Sequence, residues 1–270
     1  MNRNVCKEAL VLSVKATAQD NRSVCLLTKE GIEWATLFGG PKSKLRGAVS
    51  PWNRGAAYLY KNEEKSSCKI SDFDVQKYHP TFRESLFKSF AAALTGEIVQ
   101  KSSAAGSPEQ CYLLLNGFLD GMDLLGEAEA RLGLLRFLWR YVDLLGVRPQ
   151  VETCSRCKKA FCGEDFASNF PKSALELDAG GKRFALYSPS EASFVCADCF
   201  SPQEKGNRLS ETALFYLQIS GGTSPSDMAA ARKAQLSERD FGQLKAFLYE
   251  LIESALGIKL KTLESGKGIL

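Results

Sequence analysis

Two CxxC pairs impose the strongest constraint on how this chain can fold. Cys154 and Cys157 form the first pair, Cys196 and Cys199 form the second, and 38 residues separate the pairs. A CxxC turn brings two thiolates close enough to share one tetrahedral metal ion, and a second such turn completes the four ligands. The spacing therefore predicts a segment that folds around a bound Zn²⁺, or around iron in its place.

Four protein ligands leave no open coordination position, so a metal ion held this way is structural rather than catalytic. Unmetallated thiols and a redox-active disulfide are the alternatives. Cys162, five residues after Cys157, has the wrong spacing and is interpreted as a spare thiol. Candidate strands at 174–177 and 184–187 lie between the pairs, an arrangement typical of a zinc ribbon. The other cysteines are interpreted as small core residues: Cys6, Cys25, Cys68 and Cys111.

The first 78 residues have the pattern of a small β protein. Short apolar stretches alternate with turn signals, and the predicted strands cover 9–14, 23–28, 32–38, 56–60 and 68–75. A β-sandwich usually needs about seven strands or more, whereas a small barrel closes with fewer. The pattern therefore favours a small β-barrel.

The pattern changes to helix after His79. Apolar residues recur at the spacing of one helix face, and the predicted stripe consists of Phe82, Leu86, Phe90 and Leu94. Ser107 followed by Pro108 is a strong start signal for the next helix. The predicted helices beyond the first cover roughly 110–125, 127–145, 210–220, 225–234 and 237–256.

We therefore predict an α+β chain of several domains. Residues 1–78 form a β-barrel domain, residues 79–150 and 201–270 form an α-helical domain, and residues 151–200 form an inserted zinc-binding segment. Residues 1–78 contain 13 Lys and Arg against 8 Asp and Glu, although the whole chain has a net charge of only +4. This local excess favours a polyanionic partner for the barrel, with a solvated surface as the alternative.

A basic loop follows the third predicted strand. Single-strand grooves combine Lys and Arg, which contact phosphates, with aromatic rings, on which bases stack. The alternatives are a solvated loop and tryptophan rings that lie in the barrel core. The predicted DNA-binding residues are Lys42, Lys44, Arg46, Arg54, Trp34 and Trp52.

The chain offers little for catalysis. Its single histidine, His79, adjoins Pro80 and is interpreted as an inert residue at a domain joint, whereas many hydrolases and catalytic zinc sites require imidazole. Asp120 and Asp123 are interpreted as part of a helix with a core face and a solvated face. No apolar run is long enough for a transmembrane helix, and the N-terminus lacks a secretory signal. We expect a cytoplasmic protein that is not an enzyme and makes no membrane contact.

These features together resemble the RecO family of bacterial DNA repair proteins. The resemblance extends over the whole chain and is carried by LTKEGIEWATLFGGPKSKLRGAVSPW, RLGLLRFLWRYVDLLGVRPQVETCSRC, the second CxxC pair and LGIKLKTL. It implies an N-terminal OB-fold that binds DNA, a helical domain and a zinc-binding insertion. Within the first motif, Gly39-Gly40-Pro41 replaces the Lys-Gly-Ala-Arg usual in the family, which removes two cations.

The resemblance also implies a function in DNA repair and homologous recombination. A member of this family is expected to bind single- and double-stranded DNA at the bacterial nucleoid and to anneal complementary strands. It is expected to act with RecR in loading RecA onto DNA coated by single-strand-binding protein. The competing interpretation is a zinc-ribbon adaptor that binds other proteins without contacting DNA.

A partner site is implied on the helix that matches the family's receptor for the acidic, Phe-terminated tail of single-strand-binding protein. That helix carries Arg136 and Arg140 on one face, among apolar residues. A guanidinium group beside an apolar pocket suits an aromatic residue that bears a terminal carboxylate. Alternatively, the two arginines pair with Asp143 or Glu129 on a solvated stripe.

Overall fold

The computed structural model describes residues 3–17, 20–40, 43–62, 64, 66–162, 184–201, 203–222 and 224–270. By their contacts, the residues group into two compact units: Met1–Ala130 with Lys259–Leu270, and Arg131–Ile258. These units are not the three segments predicted from the sequence, whose boundaries stay a prediction. No helix in the described ranges combines the length and the apolar character needed to cross a membrane.

Five strands open the first unit and close into a barrel. They are β1 (Asn4–Ala16), β2 (Arg22–Thr28), β3 (Gly31–Leu37), β4 (Arg54–Asn62) and β5 (Ser67–Lys77). The strand order is β1-β2-β3-β5-β4, and β3 runs parallel to β5 while the other neighbours are antiparallel. This OB-like barrel confirms the predicted fold class, and the five predicted strands match the observed ones to within a few residues.

Alternation of side chains along the strands builds the barrel interior. On β3, Ala35 and Leu37 are buried while Trp34 is exposed, as expected for a period of two. Gly55 lies where the register between β4 and β5 shifts, and a Cβ atom there would lie 1.9 Å from the carbonyl oxygen of Asp74. Glycine is therefore required at this position of the barrel.

Helices make up most of the remaining described chain. They are α1 (Leu45–Ala48), α2 (Leu86–Lys101), α3 (Pro108–Leu124), α4 (Glu127–Leu144), α5 (Glu211–Gly221), α6 (Pro225–Lys233), α7 (Glu238–Leu256) and α8 (Lys261–Ser265). Serine side chains accept backbone N–H groups at the starts of several of them: Ser85, Ser107, Ser210, Ser224 and Ser237. The helix start predicted at Ser107 and Pro108 is confirmed.

The apolar stripe predicted after His79 is wrong for its first two members, whereas Phe90 and Leu94 lie partly and fully buried on α2. Phe82 lies in a separate 3-10 turn, Pro80–Arg83, and Leu86 is 70% exposed at the first position of α2. The helix is capped by Ser85, so its periodicity begins after Phe82 and cannot include it. The face of α2 that is buried consists of Phe87, Ala91, Leu94 and Ile98.

The second unit contains a small sheet beside its helices. Strands β6 (Phe184–Ser188), β7 (Ser193–Cys196) and β8 (Arg208–Ser210) are antiparallel, in the order β7-β6-β8. The strand predicted at 184–187 is confirmed, and the one predicted at 174–177 lies outside the described residues. The ring of Phe247 on α7 is fully buried and lies between Tyr187 and Phe194 of the sheet and Trp139 of α4.

Candidate metal centre and cationic surfaces

The four cysteines of the CxxC pairs converge in the second unit. The Sγ atoms of Cys154, Cys157, Cys196 and Cys199 all lie within 4.8 Å of one another, and those of Cys157 and Cys196 are 3.6 Å apart. A tetrahedral zinc ion with bonds of about 2.3 Å separates its sulfur ligands by about 3.8 Å. The four sulfur atoms therefore fit one tetrahedral metal ion, and this all-sulfur donor set suits zinc or iron.

Tight turns bring the two sulfur atoms of each pair to the same side. In the first pair, the N–H of Cys154 donates to the carbonyl oxygen of Lys159 at 2.9 Å, and the N–H of Lys158 donates back to Cys154 at 3.0 Å. In the second pair, the N–H of Cys199 donates to the carbonyl oxygen of Cys196 at 3.0 Å. Both pairs are thus held by local backbone hydrogen bonds, which is why their spacing alone predicts them.

Hydrogen bonds within the four-cysteine cluster shift the pKa values of its thiols. Burial raises the pKa of Cys154, but backbone N–H groups of Cys157, Cys196 and Arg156 outweigh it and lower that pKa to about 6. One of these N–H groups, that of Cys196, lies 3.3 Å from the Cys154 sulfur. Hydrogen bonds with Cys157 and Cys196 raise the pKa of Cys199 to about 12. Cys154 is therefore the thiolate that can first bind a cation, and completing the site releases protons.

The remaining cysteines divide between core and surface. Cys162 donates its S–H to the carbonyl oxygen of Glu211 at 3.7 Å and stands outside the converging four, in agreement with its interpretation as a spare thiol. Cys25 and Cys111 are buried and Cys68 is half-buried, as expected for core residues. The prediction is wrong for Cys6, which is exposed because the alternation along β1 turns it outward.

The basic loop connects β3 to β4. Lys42 lies outside the described residues, and Lys44 is exposed, with no acidic partner in the part of the chain that the structure describes. Arg46 donates from Nε to the carbonyl oxygen of Gly39 at 3.0 Å and from Nη2 to that of Asp20. Arg46 therefore ties the basic loop to the loop between β1 and β2.

Arg54 is paired with an acid. Its Nη1 lies 3.1 Å from Oδ2 of Asp120, whose Oδ1 is 2.9 Å from Nε2 of His79. The other ring nitrogen of His79, Nδ1, lies 2.8 Å from the carbonyl oxygen of Trp52. His79 is therefore a buried, doubly hydrogen-bonded residue of the fold. That it has no catalytic role stays a prediction.

Asp123 on α3 is held in the same way. Its Oδ1 accepts the N–H of Thr81 at 3.2 Å and the hydroxyl of Thr81 at 2.8 Å. Burial acts to raise the pKa of Asp123, but the Thr81 hydrogen bonds and the charges of His79 and Lys77 lower it overall. Asp120 and Asp123 thus hold α3 to the chain that leaves the barrel, and neither belongs to a merely solvated face.

The two predicted tryptophans differ in environment. Trp34 is 47% exposed on the outward side of β3. The Trp52 ring is half-buried against α2, since a Cβ atom at Gly96 would lie 2.6 Å from it. Phe38, directly after β3, is 55% exposed and was missed because a single phenylalanine beside a glycine pair carries no sequence signal.

Two further cations border the basic loop. Lys15 and Arg22 lie where β1 pairs with β2, and Arg22 is the pairing partner of Leu37 on β3. Sequence reasoning missed both because nothing in the local sequence indicates that this hairpin end lies beside the loop between β3 and β4. The Arg46 hydrogen bond to Asp20 is the contact that reveals it.

Arg136 and Arg140 lie on α4 in the second unit. Nη2 of Arg136 donates to the carbonyl oxygen of Gly222 at 3.2 Å. Burial lowers the pKa of Arg136, and the positive charges of Arg140 and Arg232 lower it further. The carboxylate of Asp227 acts in the opposite direction and compensates part of this charge. A half-buried guanidinium group with cationic neighbours stabilises a bound anion.

The alternative ion pairs on α4 are not found among the described residues. Asp143 pairs with Arg148, whose Nε lies 3.2 Å from Oδ1, and Glu129 accepts the N–H of Gly126. The guanidinium of Arg148 also lies 5.8 Å from the centre of the Trp139 ring. The surface formed by Arg136, Arg140 and Arg232 is therefore not neutralised by the two acids considered from the sequence.

Comparison with known proteins gives a consistent result. A family model described as "Recombination protein O C terminal" matches residues 83–264. A protein of Pelotomaculum thermopropionicum named "DNA repair protein RecO" is 28% identical over 165 residues, which cover 60% of this chain and 63% of the relative. A protein of the same name from Moorella thermoacetica is 27% identical over 160 residues, covering 58% of each chain. The chain thus spans about three fifths of the length of the curated relatives it matches.

Proposed function

The chain belongs to the RecO family of DNA repair proteins, and on that premise we propose that it is a non-catalytic recombination mediator that acts on DNA at the nucleoid. It binds single- and double-stranded DNA and anneals complementary strands. Together with RecR it assists the loading of RecA onto DNA coated by single-strand-binding protein. These finer roles come from the family resemblance, and the surfaces described above support them.

The observation that carries the DNA role is a surface, named here the β3 face, that combines exposed rings with cations. It consists of Trp34 on β3 and Phe38 directly after it, with Lys15 at the neighbouring end of β1 and Lys44 in the loop that follows β3. Both rings are about half exposed in a protein whose other large apolar side chains are mostly buried. Exposed rings stack on unpaired bases and neighbouring cations contact the phosphates, the combination found in single-strand grooves.

The predicted DNA-binding set is revised for its other members. Arg46 holds the basic loop in place through backbone carbonyls, and Arg54 is paired with Asp120. Trp52 offers little free ring surface because it packs on Gly96. We therefore assign direct DNA contact to Lys42, Lys44 and Trp34, and a supporting role to Arg46, Arg54 and Trp52.

The metal centre and the arginine surface complete the proposal. We assign the ion held by the four cysteines as structural Zn²⁺, because four thiolate ligands leave no position for a reacting molecule. We assign the surface of Arg136, Arg140 and Arg232 to the acidic C-terminal tail of single-strand-binding protein. Guanidinium groups recognise carboxylates through paired hydrogen bonds, and half-burial strengthens that recognition.

Replacing Lys42, Lys44 and Arg46 together by alanine is expected to weaken binding to labelled single-stranded DNA. Two phosphate contacts are lost, those of Lys42 and Lys44, and each lowers the salt slope by about 0.7 for single strands, so the slope falls by about 1.4. At moderate salt we expect affinity to drop by about tenfold or more. Fluorescence anisotropy titrations at two salt concentrations measure both quantities.

A matched pair of single variants separates the site from general charge loss. Lys44→Ala removes an exposed lysine of the β3 face, and Lys29→Ala removes one at the opposite end of β2, where it pairs with Glu8 at 3.3 Å. Only Lys44→Ala is expected to reduce DNA affinity. Equal effects of the two variants would show that binding follows net charge alone, and a wild-type protein that binds no DNA at low salt would favour the zinc-ribbon adaptor.

Asp120→Asn is expected to destabilise the first unit by about 1–3 kcal/mol. The change removes the negative charge of the Asp120 carboxylate. Arg54 Nη1 lies 3.1 Å from one oxygen of that group, and Nε2 of the buried His79 lies 2.9 Å from the other. Urea denaturation measures the free energy of unfolding. Arg54→Ala is likewise expected to cost stability more than DNA affinity. If Arg54→Ala instead lost much of its DNA affinity at unchanged stability, Arg54 would be a DNA-contacting residue.

A further inference from the structure

Arg156 lies inside the first CxxC pair and reaches across to the second. From Nε and Nη2 it donates to Oε1 of Glu191 at 3.1 Å and 2.5 Å. Nη2 also donates to Oε1 of Glu204 at 2.5 Å, and Nη1 donates to Oε2 of the same carboxylate at 3.4 Å. Nη1 also donates to the carbonyl oxygen of Cys199 at 2.6 Å. All three nitrogens of one guanidinium group are therefore engaged.

The three acceptors surround the second pair. Glu191 lies in the turn that enters β7, the strand that ends at Cys196, and Glu204 lies five residues after Cys199. Each carboxylate is also fixed by another donor. The Ser155 hydroxyl donates to Glu191 at 3.3 Å, and the Ser201 N–H donates to Glu204 at 2.8 Å.

We propose that Arg156 is a positioning residue that holds the two CxxC pairs together and so preforms the metal site. The inference rests on the metal-binding part of the proposed function and adds a residue to it. The pairs are 38 residues apart in sequence, so bringing them together without a metal ion has an entropic cost that the Arg156 contacts offset. A preformed site binds its ion more tightly and releases it more slowly.

Arginine is needed here for a geometric reason. A single exposed ion pair adds little stability, but a planar guanidinium group that binds two carboxylates and a carbonyl at once forms a network. Lysine has one nitrogen and cannot reach all three acceptors. The same two pairs are also joined by a simple ion pair, Lys159 to Asp198, at 3.5 Å, with side chains 67% and 78% exposed. This second bridge provides a control within the same site.

The test compares Arg156→Ala with Lys159→Ala in the full chain. Zinc affinity is measured by competition with a chromophoric chelator, and zinc release by adding that chelator in excess. We expect Arg156→Ala to lose about tenfold or more in affinity, the range typical of residues that orient metal ligands, with faster release. We expect Lys159→Ala to match the wild type. Equal affinities and release rates for Arg156→Ala and wild type would overturn the proposal.

Further variants separate positioning from folding. Arg156→Lys is expected to recover only part of the affinity. Glu191→Gln with Glu204→Gln is expected to reproduce the Arg156→Ala effect, and adding Arg156→Ala to that double variant should change little, since the groups act as one network. If Arg156→Ala fails to fold, the glutamine double variant takes its place, and wild-type affinity in it would overturn the proposal.

Cobalt substitution distinguishes the possible failures. At saturating Co²⁺, the thiolate-to-cobalt absorption should be the same in wild type and Arg156→Ala, because the four ligands are unchanged and only affinity differs. An altered cobalt spectrum would show that Arg156 determines the ligand set rather than its assembly, which contradicts the proposal. A wild-type chain that binds neither Zn²⁺ nor Co²⁺ would contradict the proposed metal centre itself. An Arg156→Ala variant with wild-type affinity would contradict only the positioning role of Arg156.

Discussion

Cys154→Ser is expected to abolish metal retention and to destabilise the unit Arg131–Ile258 more than any other single change proposed. Cys154 is buried, its sulfur accepts the N–H of Cys196 at 3.3 Å, and such backbone hydrogen bonds lower the pKa of its thiol, which favours the metal-binding thiolate. A serine hydroxyl stays protonated there and is a poor ligand for zinc. Apparent binding free energies of structural zinc reach about 10–16 kcal/mol in small zinc domains, so losing the ion should cost at least about 3 kcal/mol.

Metal content by elemental analysis and thermal unfolding with and without chelator measure the two effects. Cys162→Ser is the control, because Cys162 lies in the same segment but outside the converging four, and a hydroxyl can keep its hydrogen bond to Glu211. We expect Cys162→Ser to retain the metal and to lose less than about 1 kcal/mol. A Cys154→Ser protein with wild-type metal content would rule out the four-cysteine site.

Each CxxC turn of the candidate metal site could be predicted because its geometry is local. A CxxC turn is closed by hydrogen bonds within a few residues, such as that between Cys154 and Lys158, so the spacing in the sequence carries the structure. The strands of the barrel were predictable for the same reason, since alternation and turn residues act over short distances. The parallel pairing of β3 with β5 was not, because it depends on how the barrel closes.

The ionic contacts depend on residues far apart in sequence and could not be predicted. Arg54 meets Asp120 only because α3 packs beside the barrel, so the sequence suggested a free cation where the fold places an ion pair. Arg156 stands between two cysteines and has the sequence pattern of a solvated residue. Its acceptors Glu191 and Glu204 become neighbours only when the two CxxC pairs meet. Side chains whose roles arise from closure of the fold carry no local signal.

Phe247→Ala is expected to produce the second large effect, a loss of about 3–5 kcal/mol in the free energy of unfolding. The Phe247 ring is fully buried, and its centre lies 5.1 Å from that of Tyr187 and 5.3 Å from that of Phe194. It also lies 6.4 Å from the Trp139 ring. Truncation would leave a cavity between α7, α4 and the small sheet, whose surrounding side chains are too well packed to fill it.

Phe241→Ala on the same helix is the matched control. It makes the same chemical change at a position that is only partly buried, so we expect a smaller loss of stability. Thermal unfolding should show a midpoint lowered by about 10 °C for Phe247→Ala. Because Phe194 and the proposed ligand Cys196 share β7, zinc release to a chelator should also become faster in Phe247→Ala. Lowered stability with unchanged zinc release would show that the ribbon holds its metal independently of the helices beneath it.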